Sequence, residues 1–230
     1  MITLIVPAYN EAETIEKAIS SISQKLKEMK IKYRIIIAED GSTDGTYEIA
    51  CKIAKNDKHV KISHSDKRLG RGLALKNCNK LVKGKFVVYM DADLSTKLDS
   101  LDLMIKELKY NDVVVGSRYI TGSKYKRSPL RLFLSKGFNF IRMVFFPELK
   151  IKDAQCGFKG FRKNVFVEIN KRTKDNGWFW DTEFLIRAKE MGLKIKEIPI
   201  EWKENRKTSL KLIKDVLKMS YGLIRLRLEK

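Results

Sequence analysis

An α/β fold, with a mostly parallel sheet covered by helices on both faces, follows from three features of the 230-residue sequence. Short runs rich in Val and Ile alternate with amphipathic stretches of helical length through residues 1–117. The runs are apolar at consecutive positions, as strands buried on both faces are. The polar motifs YNE, EDGS, DAD and GSR each stand just after such a run, where ligands bind in open sheets of this class.

ITLIV (2–6) reads as the first strand. An amphipathic helix is expected near 11–29, with Asn10 as its cap and Glu13 in capping-box position. RIIIA (34–38) is the second strand, and Ser42 and Thr43 read as caps of a helix ending near Lys55. VKISH (60–64) is a third strand, and residues 72–81 read as helix. FVVYM (86–90) is the fourth strand, DSLDLMIKELKY a helix, and DVVVGS (112–117) the fifth strand.

The second half is less regular. SPLRLFLSKGFNFIRMVFF (128–146) is long enough for a helix but too short and too charged to span a bilayer. IKDAQCGFKGF (151–161) is polar and glycine-bearing; residues 181–191 suggest a helix and KIKEIPIEW (194–202) a strand. The tail is amphipathic, with Leu212, Ile213, Val216, Leu217 and Leu223 on one side and Lys211, Lys214 and Lys218 on the other. These features predict one domain over 1–208 and a basic amphipathic appendage over 209–230.

Forty-eight Lys and Arg against 28 Asp and Glu give a net charge of +20. Such a field attracts polyanions, whether nucleic acid, an anionic membrane surface or phosphorylated substrates. Cys51, Cys78 and Cys156 are far apart and odd in number, which fits idle thiols in a reducing cytosol better than a disulfide framework or a zinc site. The N-terminal apolar run has no basic flank and meets Pro7 and Glu11 too soon for a signal peptide. No apolar stretch reaches membrane-spanning length. A cytoplasmic protein, peripheral to the cytoplasmic face of the membrane, is the expectation.

Asp91 and Asp93, at i and i+2, point to one side if the backbone stays extended. A pair of carboxylates there suits a hard divalent cation that also takes phosphate oxygens; the alternative is a turn closing a strand. Asp40, after the second strand, can accept hydrogen bonds from a ribose or a base edge. The glycines of RLGRGLAL allow close backbone approach. There is no G-x-x-x-x-G-K-[ST] and no G-x-G-x-x-G after the first strand, which argues against P-loop ATPases and dinucleotide dehydrogenases.

Taken together, PAYNE, EDGSTDGT, G-R-G-x-A-L, DADLS and GSRY resemble, in order and spacing, the family 2 glycosyltransferases, which have the GT-A nucleotide-diphosphosugar-binding fold. IKDAQCGFKGF, GWFWDTEFL and EIPIEW resemble the dolichyl-phosphate glucosyltransferase branch, kin of the dolichyl-phosphate mannose synthases. Ser95 stands where mannose synthases usually have Gln, which favours UDP-glucose as donor. The resemblance implies an inverting, metal-dependent transfer of a hexose from a UDP-sugar to polyprenyl (dolichyl) phosphate. Pro7, Tyr9, Glu11 and Asp40, with Asp91 nearby, would line the nucleotide pocket. Asp93 with Asp91 would hold Mg²⁺ or Mn²⁺ on the diphosphate. Arg118, Arg131 and Arg206 would bind the acceptor phosphate, and Asp91, Asp93, Asp181 and Arg118 would form the catalytic set.

Asp181 and Glu183 match the acidic position where many inverting members place a base. A hydroxyl acceptor needs that base; an ionised phosphate does not, so Asp181 is expected to orient the acceptor or its cationic partners. Trp178, Phe179 and Trp180 read as core, or as a lid or a sugar or lipid contact. Residues 128–146 and the tail would either lie in the membrane interface or pack on the catalytic domain. The rivals are GDP-mannose as donor, a sugar hydroxyl as acceptor, and a basic nucleic-acid-binding module. The last lacks an RNA-binding signature, so no nucleic acid partner is expected.

Overall fold

Seven strands form one twisted sheet in the order β3-β2-β1-β4-β7-β5-β8 in the computed structural model, which describes residues 1–205 and 212–229. They are β1 (Ile2–Ala8), β2 (Tyr33–Glu39), β3 (Val60–Ser63), β4 (Phe86–Met90), β5 (Val113–Ser117), β7 (Phe158–Arg162) and β8 (Ile195–Pro199). All neighbours are parallel except β7, which runs antiparallel to both β4 and β5. From β1 the chain winds outward to β2 and β3, then resumes on the other side of β1 at β4. That reversal of winding opens a crevice beyond the carboxyl ends of β1 and β4.

Alternation along each strand divides the core into two layers. Leu4, Val6, Ile35, Ile37 and Val88 pack on α1 (Ile15–Glu28), α2 (Thr46–Asn56) and α4 (Ser100–Glu107). Ile5, Ile36, Val87 and Tyr89 pack on the other face, against α3 (Arg71–Asn77), α6 (Lys163–Arg172) and α7 (Trp180–Glu190). The consecutive apolar residues of these strands are thus explained by burial on both sides.

Several boundaries differ from the sequence expectation, for one recurring reason. α1 starts at Ile15, and Asn10 is not its cap: it sits in the left-handed region at φ 54°. Its Oδ1 accepts the Thr43 N–H at 2.9 Å, while the Ser42 Oγ accepts the Asn10 N–H at 3.0 Å. α2 starts after Gly45, so Ser42 and Thr43 are not its caps either. The polar side chains brace the β1 and β2 loops against each other instead of capping their own helices. The helix expected over 72–81 is α3 tightened into a 3-10 turn at Cys78–Lys80.

The strand expected over 194–202 breaks at Ile200. Its second part, β9 (Glu201–Lys203), leaves the main sheet and pairs with β6 (Lys124–Lys126). β6, β7 and α6 were not anticipated; Lys159 at the centre of β7 disguises a buried strand. α5 (Pro129–Phe145) begins with Pro at its first turn, where the missing N–H costs nothing, and packs against α8 (Leu212–Leu228). On α8, Met219, Leu223 and Leu226 join the core. No helix among the described residues is long and apolar enough to cross a membrane.

Candidate active site

One cavity of about 790 Å³ opens at the carboxyl ends of β1 and β4. One side of it is built by the loops after β1 and β2. Pro7, Tyr9 and Glu11 line it, with Arg68 stacked 3.9 Å over the Tyr9 ring. The Glu11 N–H donates to Thr46 Oγ1 at 2.8 Å, which ties this loop to the start of α2. Asp40 also lines the cavity, and its carboxylate accepts the Leu69 N–H at 2.7 Å and the Gly70 N–H at 3.0 Å. Burial pushes the Asp40 pKa up, opposed by those two N–H groups and by Arg68. Asp40 therefore holds the RLG loop in place as well as facing the cavity.

The DADLS turn follows β4. Both Asp93 oxygens are oriented by Ser95, through its N–H at 2.9 Å and its hydroxyl at 2.6 Å. Leu94 between them adopts φ 51°, a conformation a branched side chain takes only when its surroundings enforce it. The enforcing contacts come from the far end of the chain. Lys203 N–H donates to Ser95 O, Lys97 N–H to Glu201 O, and the Asn205 side chain to Asp93 O. β9 thus clasps the turn from outside.

Asp91 lies deeper, with one carboxylate oxygen 2.7 Å from the Arg71 guanidinium. Its side chain keeps 33% exposure to the cavity interior. Burial pushes its pKa up, and Asp93 adds to this while Arg71 opposes it. Gly157 of QCGFK packs directly against it: a Cβ there would stand 1.9 Å from Asp91 Oδ2. Any side chain at 157 must displace the carboxylate. Among the described residues no three His, Cys, Asp or Glu side chains gather into a metal-binding cluster. A cation held here has at most the Asp91 and Asp93 carboxylates from the described chain and takes its other oxygens from substrate and water, as Mg²⁺-type sites on phosphates do.

Arg71, from G-R-G-x-A-L, was not singled out in the sequence as a functional residue. It also lies 3.7 Å from Asp181, with Tyr89 and Trp178 each 5.3 Å from its guanidinium carbon. Burial works against its charge, but Asp91, Tyr89 and Asp181 outweigh that and hold the guanidinium above its ordinary pKa. Asp181 is in turn anchored through one of its oxygens. It pairs with the fully buried Lys159 at 2.5 Å and accepts the Tyr89 hydroxyl. Burial, with Asp181 second, raises the Tyr89 pKa well above the ordinary phenol value. Both donors meet the same oxygen, Oδ1, so Asp181 is held in place as the counterion of a buried cation.

Glu183, two residues on, points away from the cavity. It accepts the Lys174 and Asp175 N–H groups at 2.9 Å each and pairs with Arg187 and Arg225. Its work is to tie α8 to α7. Phe179 and Trp180 are core, while Trp178 lines the cavity.

The opposite wall carries arginines. Arg118 is buried in a bidentate pair with Asp153, both contacts at 2.7 Å, and Asp153 also accepts the Arg118 N–H. Asp153 more than offsets the burial that disfavours the Arg118 charge. Arg131 pairs with Glu204. Arg127, also on this wall, was not foreseen. Arg206 lies outside the described residues. Pro7, Tyr9, Glu11, Asp40, Asp91, Asp93, Arg118, Arg131 and Asp181 are therefore brought to one cavity, from strand ends and the first turns of α5 and α7, up to 174 positions apart in sequence.

The sequence model described as glycosyl transferase family 2 matches residues 3–169. The chain is 34% identical to glycosyltransferase AglD of Haloferax volcanii over 97% of its own length, and spans 36% of that protein. It is 33% identical to a dolichyl-phosphate beta-glucosyltransferase, ALG5A, of Trichomonas vaginalis, covering 98% of this chain and 72% of that one. The dolichyl-phosphate beta-glucosyltransferase of Saccharomyces cerevisiae is 30% identical, covering 99% and 74%. Among solved structures, glucosyl-3-phosphoglycerate synthase of Mycobacterium tuberculosis, with Mn²⁺, UDP-glucose and phosphoglyceric acid, superposes with a TM-score of 0.74 at 20% identity, covering 99% of this chain and 79% of that one. That likeness concerns the GT-A fold.

Proposed function

The chain belongs to glycosyl transferase family 2, and from that premise we propose that it transfers glucose from UDP-glucose to a polyprenyl phosphate, with inversion at the sugar. The observation that carries this reading is the polarity of the cavity. Carboxylates crowd the strand ends on the donor side, and arginines line the wall at the foot of α5. The full-length similarity to proteins named dolichyl-phosphate beta-glucosyltransferases supports the same acceptor class.

In this reading Tyr9, Glu11 and Asp40 face the nucleoside, and Asp91 and Asp93 face the diphosphate. Two carboxylates on a turn locked by Ser95 fit a hard divalent cation, Mg²⁺ or Mn²⁺, which would supply Lewis-acid stabilisation of charge on the departing diphosphate. Arg71 holds Asp91 in place beneath it. The acceptor phosphate oxygen forms the new bond to the anomeric carbon as the bond from that carbon to the UDP oxygen breaks. UDP leaves with the electron pair, and a β-linked lipid-phosphate sugar remains. The phosphate is already ionised, so no residue needs to remove a proton. Asp181 serves by fixing Arg71 and Lys159, and the rate comes from positioning and electrostatics.

The lipid reading also accounts for two apolar stripes. On α5, Leu130, Phe133, Phe140 and Val144 are exposed, and on α8, Leu217, Tyr221 and Leu228. Their i, i+3, i+10, i+14 and i, i+4, i+11 spacings put each set on one face, and the two helices lie side by side. These stripes would rest in the cytoplasmic leaflet, with exposed Lys136, Lys218 and Arg227 toward anionic head groups.

The test offers labelled UDP-glucose, GDP-mannose or UDP-N-acetylglucosamine with a polyprenyl phosphate and added metal. Label from UDP-glucose moves into an organic-extractable, acid-labile product. Label found in a soluble glycan alone overturns the lipid acceptor; label from GDP-mannose alone overturns the donor.

A further inference from the structure

We infer that Arg127, on the turn between β6 and α5, grips the anionic group of the acceptor, a phosphate monoester on an apolar chain. This rests on the acceptor class proposed above. The charges on the wall decide which arginine is available. Arg118 is matched by Asp153 in a closed, buried, bidentate pair, and Arg131 is matched by Glu204. Arg127 has no ion pair among the described residues. Its NH1 donates to the Tyr119 hydroxyl at 3.3 Å, and its Nε is buried with no hydrogen-bond partner among them. A buried donor left unmatched beside a cavity marks a place where a ligand oxygen belongs.

The electrostatics point the same way. Burial, with the nearby Arg118 cation second, pushes the Arg127 pKa below the ordinary guanidinium value. An anion seated there would reverse both the unmatched donor and the cation crowding. Guanidinium suits this task, because its fork meets two phosphate oxygens at once and its flat face lies 5.7 Å from the Trp202 ring.

Placement supplies the second half of the ligand. Arg127 stands two residues before the 17-residue α5, whose N-terminal N–H groups add a positive end. The β6–β9 pairing and the hydrogen bond between the Tyr119 and Ser135 hydroxyls, 2.9 Å, fix the base of the turn. The exposed apolar stripe of α5 starts at Leu130, three residues on. A phosphate at Arg127 therefore has a path for its hydrocarbon chain along α5.

The test is calorimetric binding of farnesyl phosphate, farnesol, inorganic phosphate and UDP to the full chain. We expect Arg127→Gln to weaken farnesyl phosphate about tenfold or more and leave UDP affinity unchanged. Arg127→Lys should fall between, and Lys124→Gln on exposed β6 should match the parent. Equal farnesyl phosphate affinity in Arg127→Gln overturns the inference alone. So does an equal loss of UDP affinity, which would place Arg127 on the donor side. Farnesol binding as tightly as farnesyl phosphate, or inorganic phosphate binding as tightly, also overturns it. A parent chain that binds UDP but no farnesyl phosphate overturns the acceptor class itself, and the inference with it.

Discussion

Arg71 and Asp91 meet at 2.7 Å in the cavity wall, and the same guanidinium lies 3.7 Å from Asp181. One cation thus links the carboxylate of the DAD turn to the buried Asp181–Lys159–Tyr89 group. Arg71→Met should lower kcat/KM for glucose transfer by about 100-fold or more, the scale seen when a preorganised charge is removed. Arg71→Lys keeps the charge but not the fork and should recover part of that loss. Steady-state kinetics on both variants check this; a near-normal Arg71→Met would detach Arg71 from the chemistry.

Asp93→Ala should abolish transfer with the fold intact, because the Asp93 contacts to Ser95 are local. Chelation of divalent metal should do the same to the parent, with activity returning on adding Mg²⁺ or Mn²⁺. Circular dichroism and a transfer assay read the two effects separately. Full activity of both Asp91→Ala and Asp93→Ala would remove the metal from the mechanism.

Asp181→Asn should destabilise the chain by about 3–5 kcal/mol, since it leaves the Lys159 charge buried without its counterion. The paired change Lys159→Met/Asp181→Leu should restore most of that stability in urea unfolding but not the transfer rate. A hydroxyl acceptor would instead make Asp181 a base, and the pH profile of residual Asp181→Asn activity would lose an acidic limb.

Gly157→Ala should inactivate the enzyme with little change in unfolding midpoint. The added methyl falls where Asp91 Oδ2 now lies, 1.9 Å from it, so the carboxylate has to turn away. Donor affinity, measured by titration with UDP-glucose, should fall together with activity.

Burial pushes the Cys78 and Cys156 thiols up to about 12 from an ordinary 9.0. A raised native pKa means that their share of stability is intact below pH 9 and is lost as pH climbs from 9 toward 12. Urea midpoints should therefore fall over that range. At pH 8, iodoacetamide should label the half-buried Cys51 in the native chain and all three cysteines after unfolding.

Much of the cavity lining was legible because its residues sit at fixed offsets from strands that announce themselves. Pro7, Tyr9, Glu11, Asp40, Asp91 and Asp93 each follow a consecutive apolar run, and a sheet of this kind must gather such ends. The capping assignments for Asn10, Ser42 and Thr43 went astray because a short polar side chain serves a neighbouring loop as readily as its own helix. Arg71 escaped notice inside a motif read for its glycines, and Arg127 inside a segment with many cations.

The sequence by itself determined the strand-and-helix alternation, the crevice at the carboxyl strand ends and the carboxylates that line it. These follow from local apolar patterning and from the order in which strands appear. Only the tertiary structure decided which charges are already matched. Lys159 and Asp181, Arg118 and Asp153, and Arg131 and Glu204 lie 22, 35 and 73 residues apart. No local pattern encodes such pairings. They arise because a buried charge must find a counterion wherever the fold brings one, and among the described residues that process leaves Arg127 on the wall without one.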